Sequence, residues 1–335
     1  MPRALVTGAT GQVGQHVIDR LRRDGWEVRA LVRDAARGGA LSRAGVSLAT
    51  GDVLDATGLA VAARGCDLVV HAAAVVTARG GWELYQRTNV EGTRHAIAAA
   101  EAAGARLVQV SSVAVYGDQA RHARGGGGTT EATPLSPLAA GAWYARSKRE
   151  SEALVLAAHA EGRVWATAVR PDVIYGAHDR QFVPRIARLL AHGVAPLVGG
   201  GHTRLAVVHA ANVADGIVRA ATTDTAGGRA YNLANDFDVT VREFFDFAAE
   251  GMGSAVRRLP IPYAVARVAL ALAGVVSPLV AGNRFRAPLA ASLDFLASDN
   301  PFDSSRARRE LGWAPAVTPA VGVPDAFRWW RQHRA

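Results

Sequence analysis

The sequence predicts a doubly wound α/β fold, a parallel sheet covered on both faces by helices, with a smaller mixed region after it. Two observations predict it. Over the first half of the 335 residues, short apolar runs of strand length alternate with amphipathic runs of helical length. Strands that alternate with helices pair in parallel through right-handed crossovers. A glycine-rich turn stands where the first strand gives way to the first helix, at residues 8–14.

Taken in order, residues 4–6 form a short buried strand and residues 12–24 a helix that Gly25 closes. A second strand, 27–32, runs into Arg33-Asp34. Further strands are expected at 46–49, 67–71, 106–111 and 164–169, with helices at 82–103 and 142–160. Residues 124–130 contain four consecutive glycines, 125–128, and are expected to form a mobile loop at the mouth of the site. After about residue 171 the alternation loosens. A helix at 183–191, a strand at 205–208, an apolar stretch at 261–280 and a proline-punctuated tail follow. The expected division is a nucleotide-binding half at 1–172, rejoined by a segment at about 205–235. Residues 173–204 and 236–335 then form the region that holds the substrate.

Composition removes several classes. Half of the residues (50%) are hydrophobic and 20% are charged, which supplies a sizeable core and excludes a disordered chain. Cys66 stands alone, so neither an internal disulfide nor a cysteine-rich metal site is expected, and a reducing cytoplasm suits the chain. The N-terminal residues enter a strand at once, without the pattern of a signal peptide. The apolar run at 268–282 is shorter than the roughly 20 residues of a spanning helix, and Pro278 interrupts it; no membrane span is expected, although peripheral contact stays open. The net charge of +9 comes from scattered arginines without interleaved aromatics, which argues against a nucleic-acid partner. Of the 38 basic residues, 37 are arginine and one, Lys148, is lysine. In a chain this rich in arginine, a retained lysine marks a position where a guanidinium does not serve.

The glycines fall at Gly8, Gly11 and Gly14, between a strand and the helix it feeds. Gly8 permits the sharp turn, Gly11 lets the backbone approach a pyrophosphate, and Gly14 lets helix and strand pack closely. The helix N-terminus offers free N–H groups and partial positive charge to that anion. This is the dinucleotide turn of a Rossmann sheet. At the end of the second strand an acid would hold a ribose 2′-hydroxyl, whereas an arginine accommodates a 2′-phosphate. Here Val32 is followed by Arg33, with Arg37 one turn later, which favours NADP(H) over NAD(H). Asp52, with Val53 beside it, suits contact with the adenine amino group. Ala72, Ala73 and Ala74, after His71, are small where the cofactor must lie close.

Ser111-Ser112 close the fifth strand, and Tyr144-Ala-Arg-Ser-Lys148 stands on the next long helix. Residues four apart share a helical face, so the ammonium is expected near the phenol. A free phenol, with a pKa near ~10, is a poor acid–base group at neutral pH. A neighbouring lysine and an oxidised nicotinamide are expected to lower it. Ser112 then fixes the substrate oxygen beside Tyr144, and Lys148 also donates to the nicotinamide ribose.

With these residues in place the chain resembles the extended short-chain dehydrogenases/reductases of the NAD-dependent epimerase/dehydratase superfamily over nearly its whole length. The resemblance implies catalytic roles for Ser112, Tyr144 and Lys148. It implies cofactor contacts at Gly8, Thr10, Gly11, Gln12, Val13, Gly14, Arg33, Asp52, Val53, Ala72, Ala73, Ala74, Asn89, Val110, Tyr144, Lys148, Pro171 and Val173. Asn89 is implied to support the active-site helix, and the segment from Arg170-Pro171 to border the nicotinamide. Asp179 to Pro184, Gly199 to Arg204, Val208 to Ala214 and the tail from Pro301 to Trp313 resemble the 3β-hydroxysteroid dehydrogenase-like branch. That branch implies hydride transfer between NADP(H) and a secondary alcohol or ketone of a hydrophobic, steroid- or β-keto-lipid-like substrate. The apolar stretch at 261–280 then either borders such a substrate or is a buried core helix. Valine and arginine at the second strand's end depart from the many relatives that carry aspartate there and use NAD. The alternative reading is a nucleotide-sugar epimerase or dehydratase with tightly bound NAD. The resemblance also implies a homodimer through helices 82–103 and 142–160.

Overall fold

The computed structural model describes residues 1–76, 80–117, 128–234, 236–268 and 295–333. Its centre is a seven-stranded sheet built from β1 (Arg3–Thr7), β2 (Glu27–Val32), β3 (Ser47–Thr50), β4 (Leu68–His71), β5 (Arg106–Val110), β6 (Ala166–Pro171) and β10 (Ala230–Leu233). The order is β10-β6-β5-β4-β1-β2-β3, and every neighbouring pair is parallel. β4 and β6 are buried at every residue, as strands covered on both faces must be.

Side chains alternate between two cores. Val6, Val70 and Val108 face the layer of α1 (Gln12–Arg23) and α8 (Ala210–Thr222), where Val17, Ile18, Leu21 and Ile217 meet them. Leu5, Val69 and Leu107 face α3 (Ala56–Ala63), α5 (Gly92–Ala103) and α6 (Trp143–Ala160), against Leu59, Ile97 and Val155. The chain reaches β3 through a short helix, α2 (Gly39–Arg43), leaves it on one flank and resumes at β4 beside β1. The carboxyl ends of β1 and β4 therefore flank the crevice where strand order reverses.

A third core, around Tyr175, Phe244, Phe245 and Phe327, joins α7 (Phe182–Leu190), α9 (Val241–Met252) and α11 (Pro319–His333). Two small parallel pairs border it: β7 (Val173–Tyr175) with β9 (Val207–His209), and β8 (Val194–Val198) with β11 (Arg257–Ile261). α9 starts with a capping box in which Thr240 and Glu243 satisfy each other's backbone N–H. α10 (Ser305–Leu311) packs beside β10, and its Ala307 and Leu311 join the first core.

Several expectations shift. The expected helix at 82–103 is three pieces: α4 (Trp82–Tyr85), a π-helical turn (Gln86–Glu91) and α5. The sixth strand starts and ends two residues later than expected. The apolar stretch expected from 261 begins as the end of β11. Residues 263–268 are helical, but Tyr263, Val265 and Val268 are exposed, so this part is not a core helix. Residues 269–280, and positions 124–127 of the expected mobile loop, lie outside the described residues. Among the described residues no helix is long and apolar enough to cross a membrane.

Candidate active site

The glycine turn is a cradle that side chains would fill. Gly8 has φ +65°, and a Cβ there would stand 2.8 Å from the Ala72 carbonyl and the Ala73 nitrogen. At Gly14 a Cβ would meet the Gly8 oxygen at 2.3 Å. Gly11 donates its N–H to the Gly8 carbonyl at 2.9 Å and starts α1 without a side-chain cap. The first-turn N–H groups thus have no side chain competing for them. A tight backbone turn, an uncapped helix start and alanines opposite it fit a dinucleotide pyrophosphate, with Thr10, Gln12 and Val13 on its rim.

Thr7, at the end of β1, accepts from the Ala73 N–H at 3.2 Å and lies 2.9 Å from His71 Nδ1. Its partner His71 is buried and held neutral with a pKa of about 3 by loss of solvent and by the Lys148 charge. Asn89 sits in the π-helical turn and is buried. Its Oδ1 accepts from the Val75 N–H at 2.7 Å, and its Nδ2 donates to the Val75 carbonyl and to Ser147 Oγ. The widened turn also leaves the Asn89 carbonyl accepting from Thr93 and from Ser151. Asn89 thereby ties the segment after Ala74 to α6.

α6 carries Tyr144 and Lys148 one turn apart. A side-chain hydrogen bond joins Tyr144 to Ser112, whose Oγ also accepts from the Ala114 N–H at the start of a 3₁₀ turn. Lys148 is only 3% exposed and donates to the Val110 carbonyl at 2.6 Å, with Nζ 5.9 Å from the Tyr144 ring centre. All three expected catalytic side chains converge at the carboxyl end of β5. The expected lowering of the phenol is not seen in the chain alone. Burial pushes Tyr144 up, the Ser112 hydrogen bond pulls it partly back, and Tyr85 pushes it up again. The ammonium reaches the strand carbonyl and lies over the ring, and its own burial lowers it to about 8 against the opposing pull of Glu152.

Other expected positions stand around this centre. Arg33 is exposed at the end of β2. Asp34, the nearest acid to that strand end, caps the next turn by accepting from the Ala36 N–H. Asp52 accepts from the Leu54 N–H, and buried Val53 supports Gly92 on α5. Pro171 ends β6. The Val173 N–H donates to Asp172 Oδ1, so Asp172 occupies an amide that the expected contact leaves open. Asp172 is itself buried, with Oδ2 unpartnered, and burial holds its carboxyl well above the usual range.

One feature was missed. Arg170 makes a two-pronged bond to Glu152, Nε to Oε2 at 3.0 Å and Nη2 to Oε1 at 2.5 Å. Its Nη1 donates to the Tyr116 hydroxyl, which donates to Asn232 on β10. Glu152 stands one turn beyond Lys148, a spacing visible in the sequence, but its partner is 18 residues away on β6.

The profile of the NAD dependent epimerase/dehydratase family matches residues 4–234. The 4-hydroxy-2-methyl-3-oxo-4-farnesyl-3,4-dihydroquinoline-1-oxide ketoreductase of Stigmatella aurantiaca is 32% identical over 327 residues, covering 97% of this chain and 96% of the relative. The decarboxylating sterol-4-alpha-carboxylate 3-dehydrogenase of Dictyostelium discoideum is 25% identical, covering 97% and 100%. Among solved structures, a double mutant of DesIV, the dTDP-glucose 4,6-dehydratase of Streptomyces venezuelae, with NAD bound, is similar at a TM-score of 0.74. It is 26% identical, covering 99% of this chain and 98% of that one.

Proposed function

The chain belongs to the NAD dependent epimerase/dehydratase family and is an NAD(P)-dependent oxidoreductase of its 3β-hydroxysteroid dehydrogenase-like branch; from that premise we propose that it reduces a ketone, or oxidises the matching secondary alcohol, on a hydrophobic substrate with NADP(H). The observation that carries this reading is the convergence of Ser112, Tyr144 and Lys148 at the end of β5. Ser112 holds the substrate oxygen, and Tyr144 gives it a proton during reduction or takes one during oxidation. Lys148 supplies the positive charge that favours the phenolate left behind. Gly8, Thr10, Gly11, Gln12, Val13 and Gly14 hold the pyrophosphate. Asp52, Val53, Ala72, Ala73, Ala74, Asn89, Val110, Pro171 and Val173 line the remainder. The bound dinucleotide supplies or accepts the hydride.

NADP(H) rather than NAD(H) is supported by Arg33, whose neighbour Asp34 is committed to its own turn. A hydrophobic substrate is supported by the activities of two relatives, the farnesylated-quinoline ketoreductase and the sterol dehydrogenase. The same reading includes a homodimer through α4, α5 and α6 and a division into a nucleotide half and a substrate half. The test is a turnover panel of 3-ketosteroids, 2-alkyl-3-oxo acids and sugar nucleotides with each dinucleotide. NADPH is expected to serve at least about ten times better than NADH, a margin that Arg33→Ser removes. Retention of NAD through purification, with epimerisation or dehydration of a sugar nucleotide and no ketone turned over, overturns the proposal in favour of the DesIV-like reading.

A further inference from the structure

On α6, Tyr144, Lys148 and Glu152 follow at successive turns of one face, and Lys148 and Glu152 are both buried. We propose that Glu152, gripped by Arg170, is a positioning residue that keeps the ammonium of Lys148 charged inside the protein. The inference rests on Lys148 acting as read above.

A buried ammonium favours its neutral form unless a partner opposes the loss of solvent. The groups around Lys148 come from every neighbouring element. β5 offers the Val110 carbonyl, an uncharged acceptor, and Ser112 follows that strand. β4 offers His71, held neutral. α4 brings the phenol of Tyr85 toward Tyr144, and Tyr144 itself presents its ring. Glu152 brings the negative charge that acts on Lys148. A glutamate carboxylate left unpaired at 5% exposure would tend to protonate and lose that charge. Arg170 prevents this with a two-pronged grip, and Tyr116 occupies the remaining arm of the guanidinium. Asn232 fixes Tyr116 in turn and donates to the carbonyls of Thr129 and Asp303. The grip is thus anchored on β6 and β10, on the 3₁₀ turn that follows β5 and on the connection to α10.

Lys148 is the sole lysine of the chain, so isotope-labelled lysine gives one side-chain resonance that reports its titration directly. In Glu152→Gln the midpoint is expected to fall by about one pH unit. Glu152→Gln leaves Arg170 buried and unpaired and so endangers folding. The paired replacement Glu152→Gln with Arg170→Met removes that hazard and is expected to shift the midpoint in the same direction, while Glu152→Asp returns part of it. An unmoved midpoint in the paired replacement overturns the proposal. The alkaline limb of the rate profile is expected to move down with the midpoint, a change that mere loosening of α6 does not produce. A moved midpoint with an unmoved limb upholds the charge coupling and overturns the catalytic assignment of Lys148 instead.

Discussion

Lysine and arginine carry the same charge, yet Lys148 occupies a space that only the smaller head group fits. Its Nζ reaches the Val110 carbonyl at 2.6 Å from within a packed helix face, and a planar guanidinium there would collide with the strand or turn away from it. Lys148→Arg is therefore expected to lose about a hundredfold in kcat/KM while retaining charge and fold, as steady-state kinetics beside a thermal melt would reveal. Near-full activity would mean that the lone lysine is an accident of composition. At this scale the sequence was most informative where chemistry restricts the choice of residue. Ser112, Tyr144, Lys148 and the three glycines were legible because few other residues serve there. Arg170 was legible only as part of a motif, because its partner is fixed by the packing of α6 on β6. The capping role of Asp34 was hidden because an aspartate after a strand reads equally well as a ribose ligand.

Elements were legible in proportion to their regularity. β4 announces itself in the apolar run Leu68-Val69-Val70, and α1 as an amphipathic stretch closed by Gly25. β11 does not, since Arg257–Ile261 contains a proline and little alternation and is held in place by its pairing with β8. The π-helical turn was equally hidden. It inserts extra backbone so that Asn89 faces Val75 and α6 together, and periodicity carries no sign of that. The joint between β1 and α1 yields a direct prediction. Gly14→Ala places a methyl group 2.3 Å from the Gly8 carbonyl, and overpacking of this kind costs about 1–3 kcal/mol. Chemical denaturation is expected to show that loss together with weaker NADPH binding by fluorescence titration. Gly39→Ala, whose new methyl would lie no nearer than 3.4 Å to a flexible arginine tip, is the matched control and should be neutral. Equal effects at the two positions would remove the steric argument.

Across the whole molecule, the sheet half and the C-terminal part meet at a group of histidines. His16 on α1 lies edge-on to both His178 and His209, at ring separations of 6.2 and 6.0 Å, and His178 packs on Trp329 of α11. Burial lowers His209 to about 4, with the His16 charge adding to the effect and Asp325 opposing it. The folded form thus binds a proton less readily than the unfolded chain, whose histidines titrate near ~6.5. The stability this contributes is present above about 6.5 and is lost as pH falls toward 4. Buried Asp172, Asp179 and Asp236, all held above their usual range, act in the opposite direction. A comparison that leaves them unchanged isolates the histidine. His209→Asn keeps an acceptor for the Ala211 N–H at the start of α8, and removes the titration. Urea melts at pH 7, 6 and 5 should show the parent losing stability relative to this variant by up to about 1.4 kcal/mol per pH unit. A constant gap would show that His209 does not titrate in this range. The doubly wound class was legible from alternation alone. This junction was not, because His16 stands more than 150 positions before His178 and His209 and only the packing of the C-terminal part on α1 brings them together.

The burial of Lys148 also determines how the folded protein responds to reagents that attack amines. Its one side-chain amine is buried in the face of α6, so the folded protein presents no accessible lysine to acylating or tethering reagents. Any acyl group later found on Lys148 then records that the molecule has opened.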